Sequence, residues 1–236
     1  QVCILYPSGG VSQLQEKQLT TLGGNITALE VSGTFDDCQR LVKSAFQDKD
    51  LKGKLILTSA NSINLARLLP QSFYYFNAWA RLSENHEFYV SVPSGNFGNL
   101  TAGLIAGKMG LPVKHFIVAT NVNDVVPEYL RTGKYRPRPS IPTIANAMDV
   151  GDPSNFVRIL DLFNQKYEWI TEHLKAYSYS DQEIRESIAE VRKRTSYLLD
   201  PHGATAYRAA ASYLRNALQL APENQEVLTQ LEAIYE

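Results

Sequence analysis

A short apolar run that leads into a glycine-bearing turn offers the clearest chemistry in this chain of 236 residues. Residues 88–92 (Phe-Tyr-Val-Ser-Val) are aromatic and β-branched, which predicts a buried strand. Pro93 ends that strand, and Gly95 and Gly98 permit a tight backbone path before a helix that starts near Asn99. A strand, a turn and a helix start, in this order, direct backbone N–H groups and a positive dipole end at one place. That geometry predicts a phosphate site.

The same turn also has a simpler interpretation, a strand-to-helix connection with capping residues, and the residues alone leave the two about equal. The glycine spacing is not the dinucleotide-binding fingerprint. It is not a P-loop either, because Gly107-Lys108 is followed by Met109.

A resemblance to a known family favours the phosphate site. Residues 94–103 (Ser-Gly-Asn-Phe-Gly-Asn-Leu-Thr-Ala-Gly) resemble the cofactor-phosphate loop of threonine synthases, which are pyridoxal-phosphate enzymes of tryptophan-synthase-like fold. Other stretches resemble family motifs in the same order: residues 4–19, 58–67, 121–124, 147–156 and 200–206. The resemblance spans residues 1–207. It implies conversion of O-phosphohomoserine and water to threonine and phosphate, with pyridoxal 5'-phosphate held as an imine on a lysine and acting as an electron sink.

The resemblance also implies roles for particular residues. The cofactor phosphate would be held by Gly95, Asn96, Phe97, Gly98 and Asn99. The residues implied near the substrate are Asn61, Ser62, Asn64, Arg67, Asp149, Ser154 and Asn155. For Asn61 and Ser62, capping of a helix is an equally good interpretation.

The lysine that the family needs is missing from this sequence. In the family it lies in a Phe-Lys-Asp motif before a Ser-Gly-Asp-Thr-Gly loop, and neither motif occurs here. None of the eleven lysines has that context, and the family's later pyridine-nitrogen motif is absent too. The chain starts at Gln1, almost directly in a strand. We therefore expect a fragment or a cut product that is inactive on its own.

Alternating apolar runs and amphipathic segments predict an α/β fold of βαβ units with a mostly parallel sheet and a helical C-terminal end. The predicted strands are 2–6, 25–31, 54–58, 88–92 and 115–119, the first of them covered on both faces. The predicted helices are 11–19, 34–46, 62–82, 99–110, 156–175 and 180–198, with a further one from Ala204. A capping box, Ser180 with Glu183, is expected to open the helix over 180–198.

Polar residues follow several of these elements. Residues 121–124 (Asn-Val-Asn-Asp) come just after a strand, where ligands gather in open α/β sheets, although such residues also favour turns. The proline-bearing segment 129–142 carries cations that could contact an anionic substrate, but a solvated loop is the favoured interpretation. His202 lies beside proline and glycine, so a structural role is the default over a catalytic one.

Three segments are predicted: a first βα layer over 1–82, a domain with the cofactor-phosphate loop over 83–207, and a helical tail over 208–236. Residues 213–235 are similar to part of a tetratricopeptide repeat. One such unit cannot bury its own face, so Val227, Leu231 and Ile234 are expected to pack on the body or on a partner, with self-association through 208–236 as one outcome.

Composition narrows the class of function. The net charge of −1 argues against nucleic acid and against anionic membrane as partners. No apolar run approaches the length that crosses a bilayer. Cys3 and Cys38 are typical of reduced thiols in a cytoplasmic protein.

Two alternatives to a threonine synthase remain open at this point. A pyridoxal-phosphate lyase of the serine/threonine dehydratase type would share the glycine loop, but the stretches 61–64 and 148–155 argue against it. The other alternative is a non-catalytic binding or scaffold protein.

Overall fold

The computed structural model describes residues 1–60, 64–82, 88–225 and 227–229. Two compact units divide the chain, Gln1–Ser59 and Ala60–Glu236. The sequence-based division after residues 82 and 207 stays a prediction. Among the described residues no helix combines the length and the apolar character that crossing a membrane requires.

The first unit is a small βαβ arrangement. Its elements are β1 (Val2–Pro7), α1 (Gln13–Thr20), β2 (Ile26–Val31), α2 (Phe35–Gln47) and α3 (Lys49–Lys54). The strands β1 and β2 pair in parallel, as predicted, with Val2 opposite Ile26. Helix α2 starts with a capping box in which Thr34 and Asp37 satisfy each other's backbone N–H groups.

Two predictions for this unit are wrong. Residues 54–58 do not form a strand, because Lys54 ends α3 and the residues after it have no regular structure. Nor is β1 covered on both faces. In its two-stranded sheet Val2 is 46% exposed and Leu29 of β2 is 48% exposed. The helices of this unit therefore cover only part of the sheet. Cys3 is exposed, Cys38 is buried, and both are free thiols.

The second unit contains a parallel sheet with the strand order β3-β4-β5. Its strands are β3 (Phe88–Pro93), β4 (Val113–Thr120) and β5 (Leu174–Ser178). Its helices are α4 (Leu68–Trp79), α5 (Gly98–Lys108), α6 (Val125–Thr132), α7 (Phe156–Leu162), α8 (Tyr167–His173), α9 (Asp181–Thr195) and α10 (Pro201–Leu220), with 3₁₀ turns at Leu65–Arg67 and Asn146–Met148.

The central strand β4 is buried on both faces. Phe116 and Val118 belong to one core cluster, which includes Leu100 of α5. Ile117 and Ala119 point to the opposite face and join a cluster that includes Ala204 of α10. This alternation places helices on both sides of the sheet and confirms the predicted α/β class with parallel βαβ units.

Several element boundaries differ from the prediction. The stretch 156–175 is not one helix, because Asn164 and Gln165 adopt positive φ of 50° and 57° and end α7 there. Strand β5, which begins at Leu174, was missed. Helix α6 occupies residues assigned to a loop from 129 onward, and the helix predicted over 62–82 starts at Leu68, with residues 61–63 outside the described part.

Helix α10 starts earlier than the sequence suggested, at Pro201 instead of near Ala204. Asp200 caps it by accepting from the N–H groups of His202 and Gly203, and Pro201 occupies its first position, where a missing N–H costs nothing. The helix runs through residue 207 to Leu220 and packs on β3, β4, β5 and α9. Residues 208–220 therefore belong to the body of the second unit. Leu231 and Ile234 lie outside the described residues.

Candidate functional site

The segment from Ser94 to Asn99, called here the 94–99 loop, joins β3 to α5. The Ser94 N–H donates to the carbonyl of Ala119 at 2.9 Å and so extends the β3–β4 pairing by one residue. The left-handed residue of the loop is Phe97, with φ 63°, and not one of the glycines expected to supply the unusual backbone. A non-glycine residue in that region costs about 1–3 kcal/mol and persists only where its surroundings hold it.

The surroundings do hold Phe97. Its side chain is 2% exposed and packs edge-to-face on Phe156, with 6.3 Å between ring centroids. Its carbonyl accepts from the Thr101 hydroxyl at 2.7 Å and from the Thr101 N–H at 3.0 Å. The ring and the carbonyl are thus anchored at the start of α5.

Gly95 is required for a close approach rather than for a turn. A Cβ at this position would lie 2.6 Å from the Ala147 carbonyl oxygen and 2.6 Å from the Met148 Cα. Both neighbours are backbone atoms, so no side-chain rotation relieves the clash. The 94–99 loop is thereby seated against the 3₁₀ turn that precedes Asp149.

Open hydrogen-bond donors make the loop a candidate anion site. Within the described residues, the backbone N–H groups of Gly95, Phe97 and Gly98 have no acceptor in the protein. Gly98 is also the first residue of the eleven-residue helix α5, whose dipole places partial positive charge there. A phosphate supplies the acceptor oxygens that such a set of donors lacks. The phosphate of pyridoxal 5'-phosphate therefore fits the residues present.

Asn99 ties the two ends of the loop together. Its Nδ2 donates to the Pro93 carbonyl at 2.7 Å, and its Oδ1 accepts from the Leu100 N–H at 2.9 Å. The Tyr75 hydroxyl donates to the Asn99 carbonyl at 2.7 Å, and burial raises the pKa of Tyr75, which stays neutral. The Asn99 side chain is thus used inside the protein, where it fixes the loop.

Asn96 is held by residues that the sequence placed near the substrate. Its Oδ1 accepts from the Ser154 N–H at 2.7 Å and from the Ser154 hydroxyl at 3.0 Å. Its backbone carbonyl accepts from Nδ2 of Asn155 at 2.9 Å. Ser154 and Asn155 therefore contact the 94–99 loop directly. Arg158, which donates to Asn155, is a member of this group that the sequence reasoning missed, although its place three residues after Asn155 was a usable signal.

Asp149 lies in a separate polar network at the carboxyl end of β4. Its carboxylate accepts from the Thr143 hydroxyl at 2.7 Å, the Thr143 N–H at 2.9 Å and the Asn121 amide at 2.8 Å. Burial raises the pKa of Asp149 above its usual value, against these hydrogen bonds, which lower it. Asn123 joins the network through Oδ1 of Asn121 at 2.9 Å. The structure thus brings Asp149 together with the 121–124 motif.

The remaining predicted substrate residues have other surroundings. Asn64 caps the 3₁₀ turn at Leu65–Arg67 by accepting from the Ala66 N–H at 3.1 Å, and Arg67 is exposed. Asn61 and Ser62 lie outside the described residues. The described part of the chain holds no cluster of side chains suited to a metal ion.

Two further side chains border the site. His202 accepts from the Ala147 N–H through Nε2 at 3.3 Å, and its Nδ1 lies 3.0 Å from the Asp200 carboxylate. It thereby supports the turn on which Gly95 rests, which is the structural kind of role expected for it from the sequence. Arg138, considered as a contact for an anionic substrate, instead pairs with Asp124 and with Glu128, the latter at 2.6 Å.

A parallel α/β unit with open N–H donors where β3 leads into α5 is the arrangement typical of phosphate-binding α/β proteins. The protein-family model described as "Pyridoxal-phosphate dependent enzyme" matches residues 2–231. The chain belongs to this family, whose members depend on pyridoxal phosphate. The match extends beyond residue 207, to which the resemblance in the sequence was limited.

Curated relatives share close to half of the residues they align with this chain. Threonine synthase of Escherichia coli K12 is 50% identical over 216 residues, and that of Serratia marcescens is 49% identical over 221. These alignments cover 91% and 93% of this chain but 50% of each relative. The chain thus spans about half the length of the curated relatives it matches.

Solved structures of threonine synthases are also similar to this chain. The crystal structure of threonine synthase from Escherichia coli matches with a TM-score of 0.85 and 46% identity, over 100% of this chain and 56% of that one. Pyridoxal-phosphate-bound threonine synthase from Brucella melitensis matches with a TM-score of 0.76 and 33% identity, over 90% and 51%. Threonine deaminase isoform 2 from Solanum lycopersicum, at 16% identity and a TM-score of 0.64, shares the fold alone.

Proposed function

We propose that this chain is the cofactor-phosphate-binding part of a threonine synthase, which converts O-phospho-L-homoserine and water to L-threonine and phosphate. The open N–H donors of Gly95, Phe97 and Gly98 carry the proposal, because they would form an anion site in a chain about half identical to enzymes of that name. The substrate, the cytoplasmic location and the reaction are predictions for the whole enzyme.

The residues in and around the 94–99 loop would have different roles in binding the cofactor. The 94–99 loop would hold the cofactor phosphate, with Asn99 and Tyr75 bracing its ends. Phe97 and Phe156 close the apolar side of the loop and exclude water beneath it. When bound, pyridoxal phosphate supplies an electron sink for proton abstraction and elimination of phosphate.

The imine-forming lysine is the component we expect to be absent from this sequence. The purified chain should therefore show no phosphate release from O-phosphohomoserine. It should bind pyridoxal phosphate in competition with inorganic phosphate, and borohydride should fix no lysine. Turnover by the chain alone, or a band near 410 nm that borohydride traps on one lysine, would contradict this part of the proposal.

A chimera tests the reaction itself. The half of the Escherichia coli enzyme that this chain does not align with would be joined to the chain, and phosphate release from O-phosphohomoserine compared with ammonia release from serine. The control is the same chimera with the imine-forming lysine of the added half replaced by alanine. Phosphate release that the control lacks would support a threonine synthase. Ammonia release alone would support a dehydratase instead.

A separate prediction concerns a partner surface at the end of the chain. Residues 208–220 pack within the second unit, so a partner surface would lie beyond Leu220, where the tetratricopeptide-like resemblance continues. Truncation after Leu220 should then remove a partner in pull-down experiments while leaving phosphate binding intact. A truncated chain that keeps every partner would count against this surface and against a scaffold role.

A further inference from the structure

We infer that Arg158 is a positioning residue that sets the direction of a phosphate-binding N–H group through Asn155 and Asn96. The inference rests on the proposed phosphate role of the 94–99 loop, and it assigns Ser154, Asn155 and Arg158 to the support of that loop.

Arg158, Asn155 and Asn96 form a continuous chain of contacts. Arg158 lies in the first turn of α7, where its Nη1 donates to Oδ1 of Asn155. Asn155 stands at the cap position of α7 but makes no side-chain cap bond, and it is fully buried. Its Nδ2 instead donates to the Asn96 carbonyl at 2.9 Å. The buried amide therefore connects α7 to the loop rather than closing its own helix.

Arg158 decides which way that amide faces. A guanidinium carries only donors, so it bonds only the oxygen of the Asn155 amide. With Oδ1 held by Arg158, the nitrogen must face the Asn96 carbonyl. Without Arg158, the amide is free to rotate by about 180°, which would set its oxygen against the oxygen of Asn96. A charge-assisted bond to a buried amide is stronger than a neutral one, which favours the observed orientation.

The orientation of the Asn96 carbonyl controls a donor of the anion site. The Asn96 carbonyl and the Phe97 N–H belong to one planar trans peptide, so they point in opposite directions. When Asn155 holds the carbonyl, the Phe97 N–H must face the other way, where it has no acceptor in the described protein. Ser154 fixes the side chain of Asn96 at the same time, through bonds of 2.7 Å and 3.0 Å.

The test compares Arg158→Met, Asn155→Ala and the double variant in the full chain. Arg185→Met serves as a matched control, because it removes an exposed arginine of α9 that makes no ion pair among the described residues. Binding of inorganic phosphate and of pyridoxal phosphate would be measured by calorimetry. The ¹⁵N–¹H shift of the Phe97 amide would be recorded without ligand.

Loss of the hydrogen bond between Arg158 and Asn155 should weaken phosphate binding about tenfold in Arg158→Met, and Asn155→Ala should weaken it to a similar extent. The double variant should be no weaker than Asn155→Ala, because the two residues act in series. The Phe97 amide should shift in both single variants, and Arg158→Lys should restore part of the affinity. Arg185→Met should match the unaltered chain.

Two results would overturn the inference. Additive losses in the double variant would show that Arg158 acts on the anion directly, and an unshifted Phe97 amide would show that the peptide is set by other contacts. If the unaltered chain binds neither ligand, the phosphate role fails. The amide shift still decides whether Arg158 positions the loop.

Discussion

Replacing Gly95 by alanine tests the seating of the 94–99 loop most directly. The added Cβ would lie 2.6 Å from both the Ala147 carbonyl oxygen and the Met148 Cα. Normal contacts between such atoms are about 3.5 Å, so the loop and the turn at Asn146–Met148 must separate by about 1 Å. Overpacking of this kind costs about 1–3 kcal/mol. The thermal midpoint of the chain should fall by about 2–12 °C.

Phosphate binding should suffer more than stability. The donors of the loop act over a narrow range of distances, about 2.7–3.2 Å between heavy atoms, and a shift of about 1 Å takes them out of it. We expect Gly95→Ala to weaken inorganic phosphate binding at least tenfold, measured by calorimetry beside a thermal melt.

Gly107→Ala is the matched control for Gly95→Ala. It makes the same substitution in α5, where a Cβ would meet nothing within 4 Å. Helix propensity predicts that it stabilises the chain by about 0.5–1 kcal/mol without changing phosphate affinity. If Gly95→Ala kept both the melting temperature and the phosphate affinity of the unaltered chain, the inferred seating of the loop on Ala147 and Met148 would be refuted.

The remaining predictions concern acid sensitivity and a helix cap. Burial first, and then Lys175, lower the pKa of His115, whose buried Nδ1 has no partner in the described structure. Because the pKa of His115 is lower in the folded protein than its ordinary value of 6.5, the neutral side chain contributes its full stability above pH 6.5 and loses it as the pH falls below that value. The melting temperature should therefore decline between pH 7 and pH 5. His115→Phe should flatten that decline, and equal slopes would contradict the assignment. Ser180→Ala should lower the melting temperature by about 2–4 °C, because loss of a helix cap costs about 1 kcal/mol; Gln182→Ala, in the same turn, should not.

Local sequence determined the features that depend on a few neighbouring residues. Parallel strands, the turn into α5 and the capping box at Ser180 were all predicted, because apolar runs, glycines and capping side chains act over a single turn or strand. The same reasoning misplaced the unusual backbone. Gly95 and Gly98 were expected to supply it, whereas Phe97 holds the positive φ.

Tertiary structure decided everything that depends on residues distant in sequence. The left-handed backbone of Phe97 is held in part by Phe156, which packs on its ring, and Gly95 is needed because the backbone of Ala147 and Met148 leaves no space for a Cβ. Strand β5, which begins at Leu174, forms because β4 offers an edge to pair with. The arrangement of Asn96, Asn155 and Arg158 likewise brings together residues about sixty positions apart. The residues alone left a phosphate site and a capped connection at the end of β3 about equal, and the family resemblance favoured the phosphate site. The direction of the N–H groups there depends on side chains that only folding brings into contact, since hydrogen bonds act over about 3 Å.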